Sequence, residues 1–329
     1  IVVFSVGAVM TGMADGYWSL LVARVITGLG VGGEWGIGHA VVADYWSGKQ
    51  RDKVHGILQA GSPVAMAMAA AVGCFLAPLP EVGWRAVFYG SGALAVLALA
   101  GRWAMPGPDR AVLQRTAEGA ADGGAKAMRV RELLAPAYRR TTLVLLTILT
   151  LHMAGFWCVY AELPAALIRL HEVSVSDIGW FQIQVNSVHV VADVLFGFLA
   201  ARLGRIRVFV VFCLVFAGGQ ALVLGQLHSL QDDFASFTIA IAAMGLGAGT
   251  WSCFGALFGE HYPAALRATA AALVYALARG LQLPLKGQMG EVLKETGSFA
   301  PALWVGIGCA LLSAFMVIWL PRSRSEPAG

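Results

Sequence analysis

Long apolar stretches alternate with short polar breaks along almost the whole chain. The breaks carry turn-forming residues, as in DGYW at 15–18 and SVSD at 174–177. A helix of about 20 residues crosses the roughly 30 Å hydrocarbon core of a bilayer. The pattern therefore predicts ten membrane helices, the first shorter than the rest, over residues 1–13, 17–45, 53–78, 84–104, 139–168, 176–202, 206–228, 234–258, 266–290 and 299–320.

The composition agrees with an all-α membrane protein. Of the 329 residues, 58% are hydrophobic and 13% are charged, and the mean hydropathy is +0.71, whereas a soluble domain is about 25% charged. The net charge of +4 is small and gives no indication of nucleic-acid binding. The five cysteines lie in apolar runs without a C-x-x-C pair, which predicts packing residues with no disulfide framework and no metal site.

Positive charge alternates between the loops. Seventeen of the 23 Lys and Arg residues lie in five alternate segments, and three lie in the opposite loops. Since positively charged loops stay in the cytoplasm, the C-terminal tail is predicted to be cytoplasmic. The five positively charged segments are 46–53, 102–140, 202–207, 259–267 and 321–329.

One connector is much longer than the others and divides the chain. Residues 105–138 are rich in Pro, Gly and charged residues, and we interpret them as a cytoplasmic linker. Residues 1–104 are then the remainder of an N-terminal helical bundle with about four spans. Residues 139–322 form a six-helix C-terminal bundle, and 323–329 form a cytoplasmic tail.

A glycine-rich pattern occurs twice. GLGVG at 28–32 recurs as GLGAG at 245–249, and an acidic residue followed seven positions later by Arg comes after each copy. A dinucleotide-binding loop needs a preceding strand and a turn, whereas LLVARVIT runs into the first copy without a break. The glycines are therefore interpreted as close contacts between membrane helices.

These patterns resemble the motifs of the major facilitator superfamily. RVITGLGVGG is similar to the motif of that family's fourth helix, and DYWSGKQR and EHYPAALR are similar to its paired cytoplasmic E-x-x-P-x-x-x-R signatures. GFLAARLGRIR is similar to the C-terminal copy of its G-x-x-x-D-R-x-G-R motif, with Ala201 in place of Asp, which weakens any gating ion pair at that loop. GGEWG and GILQAG are most similar to proton symporters for lactate, sialate and aromatic acids.

The resemblance implies a fold of twelve helices in two bundles. About ten of them are present, so the chain would be truncated at its N-terminus, without the first two helices and part of the third. It also implies a multi-pass protein of the bacterial inner membrane, expected to be monomeric, whose partners are the lipid bilayer, protons and a small-molecule substrate. Neither a cofactor nor an enzymatic reaction is expected, because the sequence holds no nucleophile constellation and no metal-ligand cluster.

One predicted helix gathers polar residues on a single face. The spacings of four, three and four place them within about 60° of one another at 100° per residue. Such a stripe is either the lining of a cavity with a titratable His–Asp pair or a structural hydrogen-bond network. We predict substrate contacts for the first two and proton coupling for the last two of Gln182, Asn186, His189 and Asp193.

A second stripe is cationic. Arg279, Gln282 and Lys286 share one face, and Pro284 between them is expected to kink the helix and free backbone carbonyls. Two cations at mid-depth favour an anionic substrate, so all three are predicted substrate-binding residues. Lys286 snorkelling to the outer interface remains an alternative.

Six further charged residues are assigned through the resemblance. Arg24 and Glu34 are predicted to take part in proton coupling, and each is expected to need a partner from another helix, although a structural role for Glu34 remains open. Histidines at positions 39, 55 and 261 are expected at the membrane surface. The predicted gating residues, which form cytoplasmic ion pairs that hold the outward-open state, are Asp44, Arg51, Glu260 and Arg267.

The predicted function is a secondary active transporter that works by alternating access. Proton-coupled symport of a small organic anion is the favoured mode. A proton-independent facilitator or an exporter of the same fold is one alternative, and a transporter-like sensor or scaffold that does not transport is another.

Overall fold

The computed structural model describes residues 2–32, 34–80, 82–104, 130–160, 162–227 and 234–321. All of the regular structure in these ranges is helical. The N-terminal half comprises α1 Val2–Met13, α2 Tyr17–Gly32, α3 Glu34–Tyr45, α4 Gly48–Ala71, continued by a π-helical turn Val72–Leu76, and α5 Gly83–Ala104. The predicted linker lies outside the described residues up to 129, and the predicted tail lies outside them entirely.

The C-terminal half begins with a short 3₁₀ turn at Val130–Leu134. Nine helices follow, and two further 3₁₀ turns lie at Ala248–Thr250 and Val317–Trp319. The helices are α6 Arg139–Tyr160, α7 Leu163–His171, α8 Val175–Leu203, α9 Arg205–Gln226, α10 Phe234–Gly247, α11 Trp251–His261, α12 Ala264–Gly280, α13 Gln282–Thr296 and α14 Ala300–Met316.

Eight stretches of the described chain are long and apolar enough to cross a membrane, so the predicted count of ten spans stays a prediction. Consecutive short helices join into single spans, as α10 and α11 do in Ser236–His261 and as α12 and α13 do in Ala264–Thr296. The helix α1 is apolar but has only 12 residues. A helical backbone is the expected result in lipid, where each peptide group must find its hydrogen-bond partner within the chain.

The two halves pack against each other through a few helices. The helix α4 lies along α8, and α3 lies against α11 and α12. Within the C-terminal half, α9 packs on α10 and α14, around a core that includes Phe196, Phe216 and Phe254. The site described below lies between α3 and α4 on one side and α8, α11 and α12 on the other.

The repeated glycines include positions of close helix contact. A side chain at Gly30 of α2 would collide with the backbone of Phe4 on α1, and one at Gly247 of α10 would collide with the backbone of Phe216 on α9. Gly28 and Gly32, by contrast, have open space where a side chain would be. Small residues thus allow two pairs of membrane helices to approach closely.

Two helix breaks set the positions of site residues. Gly204 has φ 90° and forms the turn between α8 and α9 on its own, a conformation that favours glycine and that puts Arg205 at the start of α9. The expected kink at Pro284 lies earlier in the chain, since α12 ends at Gly280 and α13 starts at Gln282. Proline clashes with the carbonyl four residues before it and is tolerated in the first turn of a helix, which explains the displacement.

Candidate functional site

A buried carboxylate lies near the middle of α8. Asp193 is fully buried, and its Oδ1 accepts a 2.8 Å hydrogen bond from Ser252 Oγ on α11. Its Oδ2 lies 3.5 Å from His189 Nε2, one turn earlier on α8. Asp193 is ten residues from Leu203, or about 15 Å along the helix, and thus near mid-bilayer depth. We refer to His189, Asp193 and Ser252 as the carboxylate cluster, which can hold a proton where an isolated charge is costly.

The carboxylate cluster lies where the two halves touch. A methyl group added at Gly56 of α4 would lie 2.6 Å from the backbone oxygen of Asp193. One turn away, a methyl group at Gly197 of α8 would lie 2.6 Å from the backbone oxygen of Asp52. The two glycines thus let α4 and α8 approach to backbone contact. The backbone at Asp193 therefore cannot move far toward α4 unless α4 moves as well.

The remaining residues of the α8 stripe lie nearer its start. Asn186 is buried, and its Nδ2 donates a 2.7 Å hydrogen bond to the backbone oxygen of Gln182, which is half-buried. Asn186 Oδ1 is a buried acceptor with no hydrogen-bond partner among the described residues. A buried acceptor of this kind can bind water or a ligand group. The substrate-binding role of these two residues stays a prediction.

The cationic stripe lies around the break between α12 and α13. The Arg279 guanidinium is exposed and stacks over the ring of Trp157 at 3.9 Å, a geometry that leaves its N–H edges available to a further acceptor. Gln282 is buried and donates to the backbone oxygens of Thr150 and Ala278 at 3.3 and 2.9 Å. The side chain of Lys286 lies outside the described part of the chain.

Aromatic rings continue this surface toward the N-terminal half. Tyr275, one turn before Arg279 on α12, stacks on Trp35 of α3 with the ring centroids 4.7 Å apart. Trp35 also meets Phe258 of α11 edge to face at 6.2 Å. Phe258 is buried, so the surface that can contact a planar anion consists of the Arg279 guanidinium and the half-buried rings of Tyr275 and Trp35.

Arg24 and Glu34 do not have the expected partners among the described residues. Both side chains are exposed, and neither takes part in a described ion pair or side-chain hydrogen bond. Arg24 lies on α2, which buries only Ala23 and Thr27. Their part in proton coupling stays a prediction.

Ion pairs join the two halves at the end predicted to be cytoplasmic. Asp44, at the end of α3, pairs with Arg267 on α12. Arg205 binds Asp52 of α4 through Nε at 2.9 Å and through Nη2, and binds Glu260 of α11 through Nη1 at 2.5 Å. We refer to these contacts as the interface ion pairs. The pairs of Asp44 with Arg267 and of Asp52 with Arg205 hold α3 and α4 against the C-terminal half, whereas Glu260 binds Arg205 from within that half. The Arg205 side chain is only 11% exposed, so water screens its pairs less than pairs on an open surface.

Two expectations about this end differ from the structure. Arg51 is not part of an ion pair in the described chain, because its Nε donates at 2.9 Å to the backbone oxygen of Trp46 in the turn before α4. The loop that carries Ala201 in place of Asp was expected to have a weakened ion pair. Arg205 of the same loop nevertheless has two carboxylate partners, both supplied by other helices. Asp52, the next residue in the chain after Arg51, forms the ion pair with Arg205 instead.

The histidines expected at the membrane surface are buried. His39 of α3 and His55 of α4 are 3% and 0% exposed, and His39 Nδ1 lies 2.9 Å from His55 Nδ1. His39 Nε2 lies 3.2 Å from Gln59 Oε1, which also accepts from Trp35 Nε1 at 3.3 Å. We refer to these four residues as the histidine cluster. It packs against Gly255 of α11, where a side chain would collide with the His39 ring.

His261 is also buried, at the end of α11. Its Nδ1 and Nε2 lie 2.9 Å from the backbone oxygens of Leu257 and Pro321. The helix pattern could have predicted part of this burial, because His55 lies one turn inward from Asp52, on the face of α4 that meets the other half. Position along the helix alone suggests that these histidines lie at the membrane surface.

The fold and the site define an all-helical, multi-pass membrane protein, whose two halves meet at buried polar clusters and ion pairs. The family model of the Major Facilitator Superfamily matches residues 1–171. This is more than half of the 329 residues, and the chain belongs to that superfamily. The predicted family is thereby confirmed, as is the prediction that the protein is not an enzyme.

Bacterial relatives cover nearly the whole chain. A Haemophilus influenzae protein named for metabolite transport is 29% identical over 323 residues, which are 97% of this chain and 75% of the relative. A Cupriavidus pinatubonensis protein named for 4-methylmuconolactone transport is 26% identical over 340 residues, with 98% and 74% coverage. The chain is shorter than these relatives. This chain is a multi-pass membrane transporter of the superfamily, and its bacterial relatives imply the inner membrane.

Solved structures agree on the fold. The proton:xylose symporter XylE, bound to 6-bromo-6-deoxy-D-glucose, superimposes with a TM-score of 0.71 at 15% identity over 97% of this chain and 78% of XylE. The human organic anion transporter MFSD10 superimposes with a TM-score of 0.67 at 15% identity over 95% of this chain and 74% of MFSD10. At such low identities these similarities bear on the fold alone.

Proposed function

We propose that the protein is a secondary active transporter that couples the uptake of a small organic anion to protons by alternating access. The C-terminal tail lies in the cytoplasm, and one chain is the functional unit. Substrate binds between the two bundles near mid-membrane. The proton binds at the carboxylate cluster, and the interface ion pairs close the cytoplasmic side in the outward-open state.

The observation that carries this proposal is the position of Asp193. A buried carboxyl group in lipid is most stable when it holds a proton or is close to a positive charge, and His189 is the titratable neighbour at 3.5 Å. The same residue touches α4 of the other half through its backbone oxygen at Gly56. Proton occupancy and the relative arrangement of the halves are thus linked at one residue.

The anionic substrate is inferred from the surface around Arg279. When the guanidinium stacks on Trp157, its N–H donors still point outward in one plane. They can therefore bind a carboxylate through two parallel hydrogen bonds. Tyr275 and Trp35 add stacked rings along the same side. The combination favours a planar organic acid. The names of the relatives, for metabolite and 4-methylmuconolactone transport, support a small organic substrate.

The test is uptake by proteoliposomes that contain the purified protein, with a panel of labelled organic acids and with or without an imposed pH gradient. Wild-type protein is expected to accumulate an acid when the outside is acidic. Asp193→Asn cannot release a proton, so it is expected to exchange labelled substrate across the membrane and to lose accumulation. Asp177→Asn is the matched control, because this carboxylate is on the same helix but is exposed and hydrogen-bonded to Ser174.

The outcomes of this uptake experiment distinguish the proposed symporter from the alternative functions. Accumulation by Asp193→Asn against a gradient would refute the role of this carboxyl group in coupling. Uptake that equilibrates without responding to pH in the wild type would identify a proton-independent facilitator. No binding or exchange of any acid by folded protein would favour a transporter-like sensor or scaffold.

A further inference from the structure

The histidine cluster has a hydrogen-bond pattern that determines where its protons lie. Ring protons are assigned from their partners. The indole of Trp35 can only donate, so the atom of Gln59 that faces it is the oxygen. That oxygen also faces His39 Nε2, which must therefore carry a proton. In a neutral His39 the other ring nitrogen, Nδ1, is then an acceptor.

The assignment continues to the second ring. His39 Nδ1 accepts, so His55 Nδ1, 2.9 Å away, must donate. In a neutral His55, Nε2 is then unprotonated and carries a lone pair. This atom is fully buried and has no hydrogen-bond partner among the described residues. The series of hydrogen bonds that begins at Trp35 thus ends at an unused, buried proton acceptor.

The same geometry limits the cluster to one additional proton. A proton on His55 Nε2 breaks no hydrogen bond, since His55 Nδ1 still donates to His39. A second proton would have to bind His39 Nδ1, which would place two N–H donors face to face across 2.9 Å. The pair therefore changes its charge by one unit, at a histidine. When water reaches the ring, this change falls within about pH 5–8, the range in which a solvated histidine titrates.

Burial and the surrounding charges make this proton unfavourable in the closed arrangement. The His55 ring is fully buried, so its charged form would lose its hydration, and Arg51, Arg205 and Arg267 add positive charge nearby. The nearby carboxylates of Asp44, Asp52 and Glu260 are already paired with two of these arginines. A charged His55 would therefore be a buried cation with no free counter-charge.

We propose that His55 Nε2 is a second proton site, distinct from the carboxylate cluster, and that its protonation opens the cytoplasmic side. His55 and His39 belong to the N-terminal half, and they are enclosed by α11 of the C-terminal half directly inward of the interface ion pairs. Separation of the halves would admit water to the ring and relieve the cost of its charge. Because the proton binds better to the open arrangement, acidity shifts the population toward it.

This inference deepens the proposed alternating-access function and is tested without substrate or a pH gradient. Spin labels are attached at Ser47→Cys and Leu203→Cys, both exposed at this end in opposite halves, after the five native cysteines are replaced by alanine. The distance distribution between the labels is then measured in lipid from pH 8 to pH 5. Wild-type protein is expected to shift to longer distances as the pH falls, with a single midpoint.

Three variants make the test specific. His55→Gln is expected to keep the short distances throughout, because it has lost the acceptor. Gln59→Glu places a free counter-charge beside His39 inside the closed cluster, so the closed arrangement can accept the proton and the distance change is expected to weaken or disappear. His261→Gln is the matched control, a buried histidine whose ring nitrogens contact backbone oxygens outside the cluster. It is expected to respond as the wild type does.

The inference is overturned if the wild-type distances do not change with pH, if His55→Gln opens at the wild-type midpoint, or if His261→Gln abolishes the response. Should His55→Gln fail to fold, the Gln59→Glu variant decides instead, since a distance change of wild-type size at the wild-type midpoint contradicts the proposal. Asp193→Asn is expected to retain the distance change. A wild-type protein that shows the distance change but no coupled uptake would therefore contradict only the function proposed above.

Discussion

The contact between α4 and α8 allows a sharp test of how the two halves fit together. Gly56→Ala would add a methyl group 2.6 Å from the backbone oxygen of Asp193 and 3.2 Å from Cα of Gly197. Ordinary contacts begin at about 3.4 Å, so the two helices would have to separate by close to 0.8 Å. Both neighbouring atoms belong to the backbone and cannot rotate away.

The expected cost follows from overpacking. Inserting a methyl group into a tightly packed site typically costs about 1–3 kcal/mol. Replacing Gly by Ala within a helix also contributes a favourable propensity of about 1 kcal/mol. Gly61→Ala is the matched control, because it changes the same residue type in the same helix at a position with nothing within 4 Å. Since the propensity gain is common to both variants, their difference in unfolding free energy should equal the packing cost.

The measurement is thermal unfolding of both variants in the same lipid or detergent, together with proton-driven uptake. Gly56→Ala is expected to unfold at a lower temperature than Gly61→Ala and to lose coupled uptake, because the turn that carries Asp193 is displaced. Gly61→Ala is expected to match or exceed the wild-type stability. Equal stability and equal uptake in the two variants would refute the idea that direct backbone contact at this crossing positions the carboxylate.

Two further predictions concern charged residues. Reversing the charge of either Asp44 or Arg267 is expected to increase the labelling of cytoplasmic cysteines by a membrane-impermeant reagent. Reversing both charges is expected to restore the wild-type labelling. If the double reversal does not restore it, the pair does not hold this side closed. Arg279→Ala is expected to remain folded and to lose anion binding, whereas Arg279→Lys should weaken it by about 1.5–3 kcal/mol, the worth of a hydrogen bond to a charged group. Binding by calorimetry and thermal stability on the same samples check this, and a folded Arg279→Ala with full affinity would exclude the residue from the site.

Much of the site could be listed from the sequence, but its pairings could not. Helical spacing placed His189 and Asp193 on one face of α8, since that depends only on the 3.6-residue repeat. The partner on another helix, Ser252, carried no signal, because serine is common and its use depends on which helix lies opposite. Arg205 likewise lay in a motif and Asp52 directly followed one, yet the loop alone could not indicate which carboxylates would reach the arginine.

The sequence by itself determined the class of protein and the approximate position of the membrane helices in the described chain. Apolar length is sufficient for this, because lipid forces each peptide group to bond within its own helix. Tertiary structure alone decided the meeting of His39 with His55, the choice of Asp52 over Arg51 as an ion-pair partner, and the backbone contact at Gly56. These features depend on distances between helices far apart in the chain, which are set by how side chains of both halves pack, and no local pattern encodes them.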